Sequence, residues 1–406
     1  MQRLPDEVLL TRRAFLGRLA AAGLALFLVA CRRALPEATQ TPISPPSPVP
    51  PRTSPTLFTP SPSPVRATPT STPRPSPTRP AASSRVLTLS PLPPVERPAR
   101  VAFVRTADRA EGVRRALALL GPIPVEDKAV LLKPNFNSAD PAPGSTHNDV
   151  LHTLVEALWE WGARSITVAD RSGMADTRWV MQEKGIFRMA EELGFTALVL
   201  DELEAEDWVL VQPPESRWKR GFLFARPILE ADAVVQTCCL KTHAYGGHFT
   251  LSLKNSVGMV ARYGPDGYDY MEELHSSPHQ RRMIAEINTA YRPALVVVDG
   301  VEAFTSGGPD RGKRVQTEVV LAGTDRVALD AVGVALLRLW GTTPEVSRGS
   351  IFAQQQIARA VYLGLGISRP DEIEFLTDDA ASAEYAAQVQ EILATIASFP
   401  RQRASA

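Results

Sequence analysis

The chain is 406 residues long, with 44 basic and 44 acidic side chains and a formal net charge of zero. That balance excludes the overall basic footprint of a nucleic-acid-binding protein, and three cysteines are too few for a disulfide framework. All six histidines fall between His147 and His279, and twenty of the 36 prolines between Pro36 and Pro98, so the chain divides into a leader, a spacer and a body.

Residues 11–17 read T-R-R-A-F-L-G, an arginine pair followed by Phe15 and Leu16 that resembles a twin-arginine export signal. The apolar run Leu19–Ala30 is shorter than the about 20 residues needed to span a bilayer. It ends in L-V-A-C at 28–31, which resembles a lipoprotein signal-peptidase box and implies a diacylated Cys31 as the new N-terminus. A buried amphipathic helix is the competing reading; arginine pair, apolar run and box in that order favour the signal. Residues 1–31 are therefore expected to be a signal peptide. Residues 32–97, rich in Pro, Ser and Thr, are expected to form a disordered linker with little apolar surface to bury, reaching about 200 Å if fully stretched. The body, 98–406, would be held by a lipid anchor on the outer face of the cell membrane. Twin-arginine export carries folded cargo, which would let a cofactor be loaded first.

In the body, Val101–Val104 reads as a strand and Arg109–Leu120 as a helix ending at Gly121. Ala129–Leu132 is a second strand leading into K-P-N-F-N at 133–137. A helix over Val150–Trp161 stops at Gly162, and Ile166–Ala169 leads into D-R-S-G at 170–173. A helix over Thr177–Leu193 and a strand over Ala197–Leu200 follow. The Trp-bearing stretch from Glu202 to Phe224 suits an antiparallel pair. Ala233–Thr237 is a strand feeding C-C-L-K-T-H-A-Y-G-G-H at 238–248. Further on come a helix over Arg281–Tyr291, strands over Leu295–Val298 and Val319–Ala322, and an apolar helix over Val327–Trp340. Two helices near 351–363 and 382–397 close the chain, the last with Ser382 as a fitting N-cap. Strands alternate with helices, and several are unbroken apolar runs. The fold class expected is α/β, a mostly parallel sheet with helices on both faces in a single large body, with a division into two subdomains as the alternative.

Lys133, Asp170, Lys241, Asp299 and Asp325 each follow closely on an apolar strand. In open parallel sheets ligands bind beyond the carboxyl ends of the strands, so five exits are expected to bring charge to one edge. The plainer alternative is that chains surface at strand ends and are polar there. Lys254 lies among apolar neighbours and needs a partner, an anionic ligand or an aspartate, unless it snorkels to water. His243 is the first choice for acid/base work or metal binding, with Asp170 and Asp299 as further oxygen ligands for a divalent metal. No zinc spacing is present. Cys238 and Cys239 are adjacent, and with Cys31 lipidated they cannot supply the cysteine set of an iron–sulfur cluster. They read as small apolar strand residues, with a reactive thiol at Cys239 as the alternative. Thr305–Pro309 is glycine-rich and either cradles an anion or turns the chain.

Together, K-P-N at 133–135, T-H at 146–147, D-R-S-G at 170–173, L-K-T-H at 240–243, L-K-N-x-x-G at 253–258 and D-G at 299–300 resemble the family known as domain of unknown function 362, over about residues 99–340. Members of that family sometimes carry a ferredoxin-like iron–sulfur module; this chain lacks its cysteines. The resemblance implies a fold boundary and a site, without a settled activity. The functional expectation is an enzyme acting on an anionic small molecule, with Lys241, His243 and Lys254 catalytic. Lys133, Asn135, Asn137, Ser172, Thr242 and Asn255 would bind the ligand. A tethered binding protein using the same pocket without chemistry is the alternative, and a structural envelope protein a third.

Overall fold

The computed structural model describes residues 95–395; the expected signal peptide, Cys31 and nearly all of the linker lie outside the described residues. The strands are β1 (Ala99–Arg105), β2 (Ala129–Lys133), β3 (Ser165–Asp170), β4 (Thr196–Val199), β5 (Trp208–Val211), β6 (Phe222–Ala225), β7 (Ala233–His243), β8 (His248–Thr250), β9 (Leu295–Gly307), β10 (Gly312–Gly323) and β11 (Ile373–Leu376). All but β5 and β6 join one nine-stranded sheet in the order β11-β1-β10-β9-β7-β2-β3-β4, with β8 attached to β7. The run from β9 through β7, β2 and β3 to β4 is parallel, as is β1 with β11. β10 runs antiparallel to both its neighbours, and β8 antiparallel to β7. The sheet is therefore mixed but mostly parallel, as expected of an α/β protein.

Both faces are covered, which explains the unbroken apolar strands. Along β1 and β10, Val101, Phe103, Val319 and Leu321 face the helices Arg326–Leu339 and Ala380–Ala394. The alternate residues Ala102, Val104, Val320 and Ala322 face the helices Arg109–Leu120 and Asn148–Glu160. The two-residue period of a strand sends successive side chains to opposite layers. A third cluster joins the β5–β6 hairpin to the helices Tyr270–Ser276 and Gln280–Ile287. The Trp-bearing excursion is thus an antiparallel pair, with Trp208 opposite Ala225.

Several expectations are corrected. The helix expected over Thr177–Leu193 is two, Thr177–Glu183 and Ile186–Leu193, broken at Gly185. The strand expected to end at Thr237 continues to His243, because β9 on one side and β8 on the other pair with its far end, Lys241 meeting Phe304 and Thr250. L-K-T-H is therefore strand, not loop. The glycine-rich Thr305–Pro309 lies where β9 turns into β10. The last helix is capped by Asp379, whose side chain accepts from the Ser382 N–H. The Ser382 hydroxyl instead accepts from the Arg105 N–H at 2.9 Å. β11 has no counterpart in the sequence reading.

Candidate functional site

β2 and β3 end side by side at Lys133 and Asp170, while β7, in register with β2 where Gln236 meets Lys133, runs on past them to Lys241 and His243. Beyond them is a cavity of about 290 Å³ whose walls include Lys133, Asn135, Asn137, Asp170, Lys241, His243, Lys254 and Asn255. Eight of the eleven residues expected to bind, catalyse or ligate thus share one space. Ser172, Thr242 and Asp299 do not line it.

Lys133 and Asp170 form a buried ion pair, Nζ to Oδ1 2.6 Å. The Lys133 ammonium also donates to the Pro134 carbonyl at 2.7 Å and to Asn255 Oδ1 at 3.2 Å. Asp170 accepts from the Phe136 and Arg171 N–H groups, each at 2.7 Å. Burial lowers the Lys133 ammonium and raises the Asp170 carboxyl from their ordinary values, and their mutual contact opposes both shifts. A Cβ on Gly258 would fall 2.6 Å from Asp170 Oδ1 and 2.9 Å from Lys133 Nζ. The glycine of L-K-N-x-x-G is thus needed for close approach to this pair.

On β7, Lys241 and His243 are two apart and share a face, whereas Thr242 points to the other. There its hydroxyl donates to the Phe304 and Gly307 carbonyls at 3.1 and 3.2 Å, fixing β7 to the end of β9. The Lys241 ammonium donates to the Gly144 carbonyl. His243 is buried and its Nδ1 has no hydrogen-bond partner. Burial first, then the Lys254 and Lys241 ammoniums, hold His243 well below its usual value, so the imidazole is neutral.

Lys254 follows β8 on the short helix Ser252–Asn255. That helix is held by Asp330, which accepts from the Ser252 N–H at 2.8 Å and the Ser252 hydroxyl at 2.7 Å. Among the described residues nothing accepts a hydrogen bond from the Lys254 ammonium or pairs with it. Burial, with Lys241 and Arg171 nearby, lowers it to about 7. Lys254 and His243 are neighbours: a Cβ on Gly247 would meet His243 Nδ1 and Lys254 Cε, each at 3.0 Å.

The remaining expected residues have other duties. Ser172 donates to the Phe136 carbonyl at 2.6 Å and its N–H donates to Thr177 Oγ1. Asp299 accepts from Arg109 Nε at 2.9 Å, and Arg109 also reaches Glu302 at 3.0 Å. The trio Asp170, His243 and Asp299 is therefore not brought together, and among the described residues no group of three His, Cys, Asp or Glu side chains is placed to hold a metal ion. Asp325 caps the helix Arg326–Leu339 and accepts from the Ile367 N–H; because β10 runs antiparallel to β9, its exit leaves the sheet at the other edge. His248 pairs with His243 across the β7–β8 turn and does not line the cavity. Cys238 and Cys239 are buried free thiols on β7. Burial raises both, Cys239 to about 11.

The cavity also holds residues the sequence reading missed. Arg171 is buried, and its guanidinium donates to the Val260, Ser172 and Val257 carbonyls. His275, with Met271 one turn earlier and Glu272, enters from the helix Tyr270–Ser276, whose N-cap Asp269 is also in the wall. The His275 Nδ1 donates to the Met271 carbonyl at 2.6 Å, leaving Nε2 with a lone pair. Arg262 completes five basic side chains against three carboxylates, Asp170, Asp269 and Glu272. Asp170 and Asp269 are already engaged, by Lys133 and by the helix cap.

Fold and site together define an α/β protein with an uncompensated cationic cavity at the carboxyl edge of its parallel strands. The model for the family described as Domain of unknown function (DUF362) matches residues 130–335, half of the chain, and the protein belongs to that family. A thylakoid-associated protein of Synechocystis is 26% identical over 219 residues, 52% of this chain and 63% of the relative. The chain thus spans less than two thirds of that relative's length. The lactate racemase apoprotein of Thermoanaerobacterium thermosaccharolyticum is a remote structural likeness, with 14% identity, 71% of this chain and 85% of that one covered, and a TM-score of 0.35.

Proposed function

We propose that this DUF362 protein is a membrane-tethered, extracytoplasmic enzyme acting on a small anion. The observation that carries the reading is the Lys254 ammonium, which meets no carboxylate in a wall where basic groups outnumber acidic ones. Lys254 is half-buried among other cations, and a charge there without a partner is costly; a bound carboxylate or phosphate removes that cost. Lys241 and Lys254 hold the anion. His243, kept neutral by burial and by two ammoniums, has a free ring nitrogen through which a proton can pass. A bare binding site has no need of an unpartnered, buried imidazole nitrogen beside the anion, which favours chemistry over storage.

The test is thermal unfolding with oxalate or inorganic phosphate at constant ionic strength. Stabilisation by these anions beyond that of chloride, and its loss in Lys254→Met, is expected. Equal stabilisation by all salts would sink the anion site. For the enzyme reading, His243→Ala should retain oxalate binding and lose turnover.

The tether rests on the arginine pair, the apolar run and Cys31. No helix among the described residues is long and apolar enough to cross a membrane. The Synechocystis relative is itself described as thylakoid-associated, in keeping with a membrane-side location. Cys31→Ala should move the protein from the membrane fraction to the soluble one. An unchanged distribution would remove the lipid anchor.

A further inference from the structure

We infer that Lys254 is an imine-forming amine, attacking the carbonyl carbon of a small 2-oxo or aldehydic acid whose carboxylate is held by Lys241. This rests on the anion-binding reading and adds the substrate's second group.

Three lysines share the cavity, and their surroundings separate them. Lys133 is committed to Asp170, the Pro134 carbonyl and Asn255. Lys241 is committed to the Gly144 carbonyl. Lys254 has no partner among the described residues, so no hydrogen bond keeps it protonated or occupies its lone pair. Its neighbours Lys241 and Arg171 are cations, the environment that favours a free amine. With the ammonium lowered to about 7, a large share is unprotonated at neutral pH. An anchor lysine, a nucleophilic lysine and a neutral imidazole beside it are the groups that imine formation needs. A cavity of about 290 Å³ suits a compact acid rather than a nucleotide.

The step balances without an oxidant or reductant. The Nζ lone pair forms a C–N bond as the carbonyl π pair moves to oxygen. His243 takes a proton from nitrogen and returns it to that oxygen. The remaining N–H proton then passes through the same imidazole to the hydroxyl as the nitrogen lone pair forms the C=N bond and the C–O bond breaks, so the oxygen leaves as water and amine and carbonyl give imine and water. Imidazole near Lys254 is assured by the packing of both side chains over Gly247.

The full chain is incubated with glyoxylate and cyanoborohydride, and lysine modification is located by peptide mass spectrometry. Lys254 should be modified at least about tenfold faster than the exposed Lys219 and Lys313. Oxalate, an anion unable to form an imine, should protect it. Lys254→Arg keeps the charge and should lose the adduct while retaining stabilisation by oxalate. Should Lys254→Arg fail to fold, oxalate protection of the unaltered protein still decides. Modification spread evenly over surface lysines, or a Lys254 left unmodified, overturns the imine. If oxalate still stabilises the protein in that case, the anion site survives; if it does not, both readings fall.

Discussion

His243 and Lys254 close over Gly247, with His243 Nδ1 and Lys254 Cε each 3.0 Å from the place a Cβ on that glycine would take. The two residues are joined by the β7–β8 turn, and the glycine is the spacer that lets them touch the same ligand. Gly247→Ala tests this directly. Its methyl group must displace one of the two side chains, and the flexible lysine yields more readily than the buried ring. Oxalate affinity should fall about tenfold, equivalent to about 1.4 kcal/mol, with a stability loss of about 1 kcal/mol. Titration and denaturant unfolding of the same variant measure the two. An unchanged affinity would mean that the pair does not act on a common ligand.

The Lys133–Asp170 pair is expected to matter more for folding than for binding, because every atom of it is engaged within the protein. Asp170→Asn leaves a buried ammonium without its counter-charge, a change that costs about 3–5 kcal/mol. Gly258→Ala attacks the same pair from outside, since its Cβ would lie 2.6 Å from Asp170 Oδ1. Both should lower the midpoint of urea unfolding, and Asp170→Asn should lower it more. A variant at Asp170 as stable as the parent would show that the pair carries no folding energy.

Much of this site was readable in the chain because parallel strands deliver their last residues to one edge. Lys133 and Asp170 obey that rule, whereas Lys241 and His243 lie on the stretch of β7 that runs on past the end of β2. Lys254 was flagged by the cost of a lysine among leucines. What failed was direction and parity. Asp325 follows β10, and nothing in V-V-L-A tells that this strand runs against its neighbours. Asp299 shares its side of β9 with Leu295 and Val297, the face covered by the helix Arg109–Leu120, where Arg109 takes its carboxylate. Arg171 and His275 were missed for another reason. Arg171 gains its place from carbonyls almost ninety residues on, and His275 from a helix packed across the sheet edge. Neither approach leaves a spacing in the sequence.

Cys238 and Cys239 should be inert in the folded protein. Both are buried, and burial raises each thiol, Cys239 to about 11. A thiolate is the reactive form, so a thiol-specific reagent should label neither residue at neutral pH until denaturant is added. Rapid labelling of Cys239 in the native state would restore the reactive-thiol alternative.

The pH dependence of anion binding follows from Lys254. Its ammonium is lowered from 10.5 to about 7, burial being the main cause and Lys241 and Arg171 the next. Below about 7 the folded protein carries this charge, and above it the charge is lost. Oxalate binding should therefore weaken as pH rises through about 7. His243, held well below its usual value, stays neutral across that window. His275 is lowered by burial in the same direction, so it too adds little charge there. The stability of the ligand-free protein should move the opposite way. Between about 7 and 10.5 the unfolded chain binds a proton at Lys254 that the folded protein does not, so this residue's contribution to stability rises with pH. Arginine keeps its charge throughout. In Lys254→Arg, oxalate affinity measured by calorimetry from about pH 6 to about pH 9 should lose the fall centred near 7. A wild-type profile that is flat over that window, or a variant profile with the same fall, would assign the titration to another group.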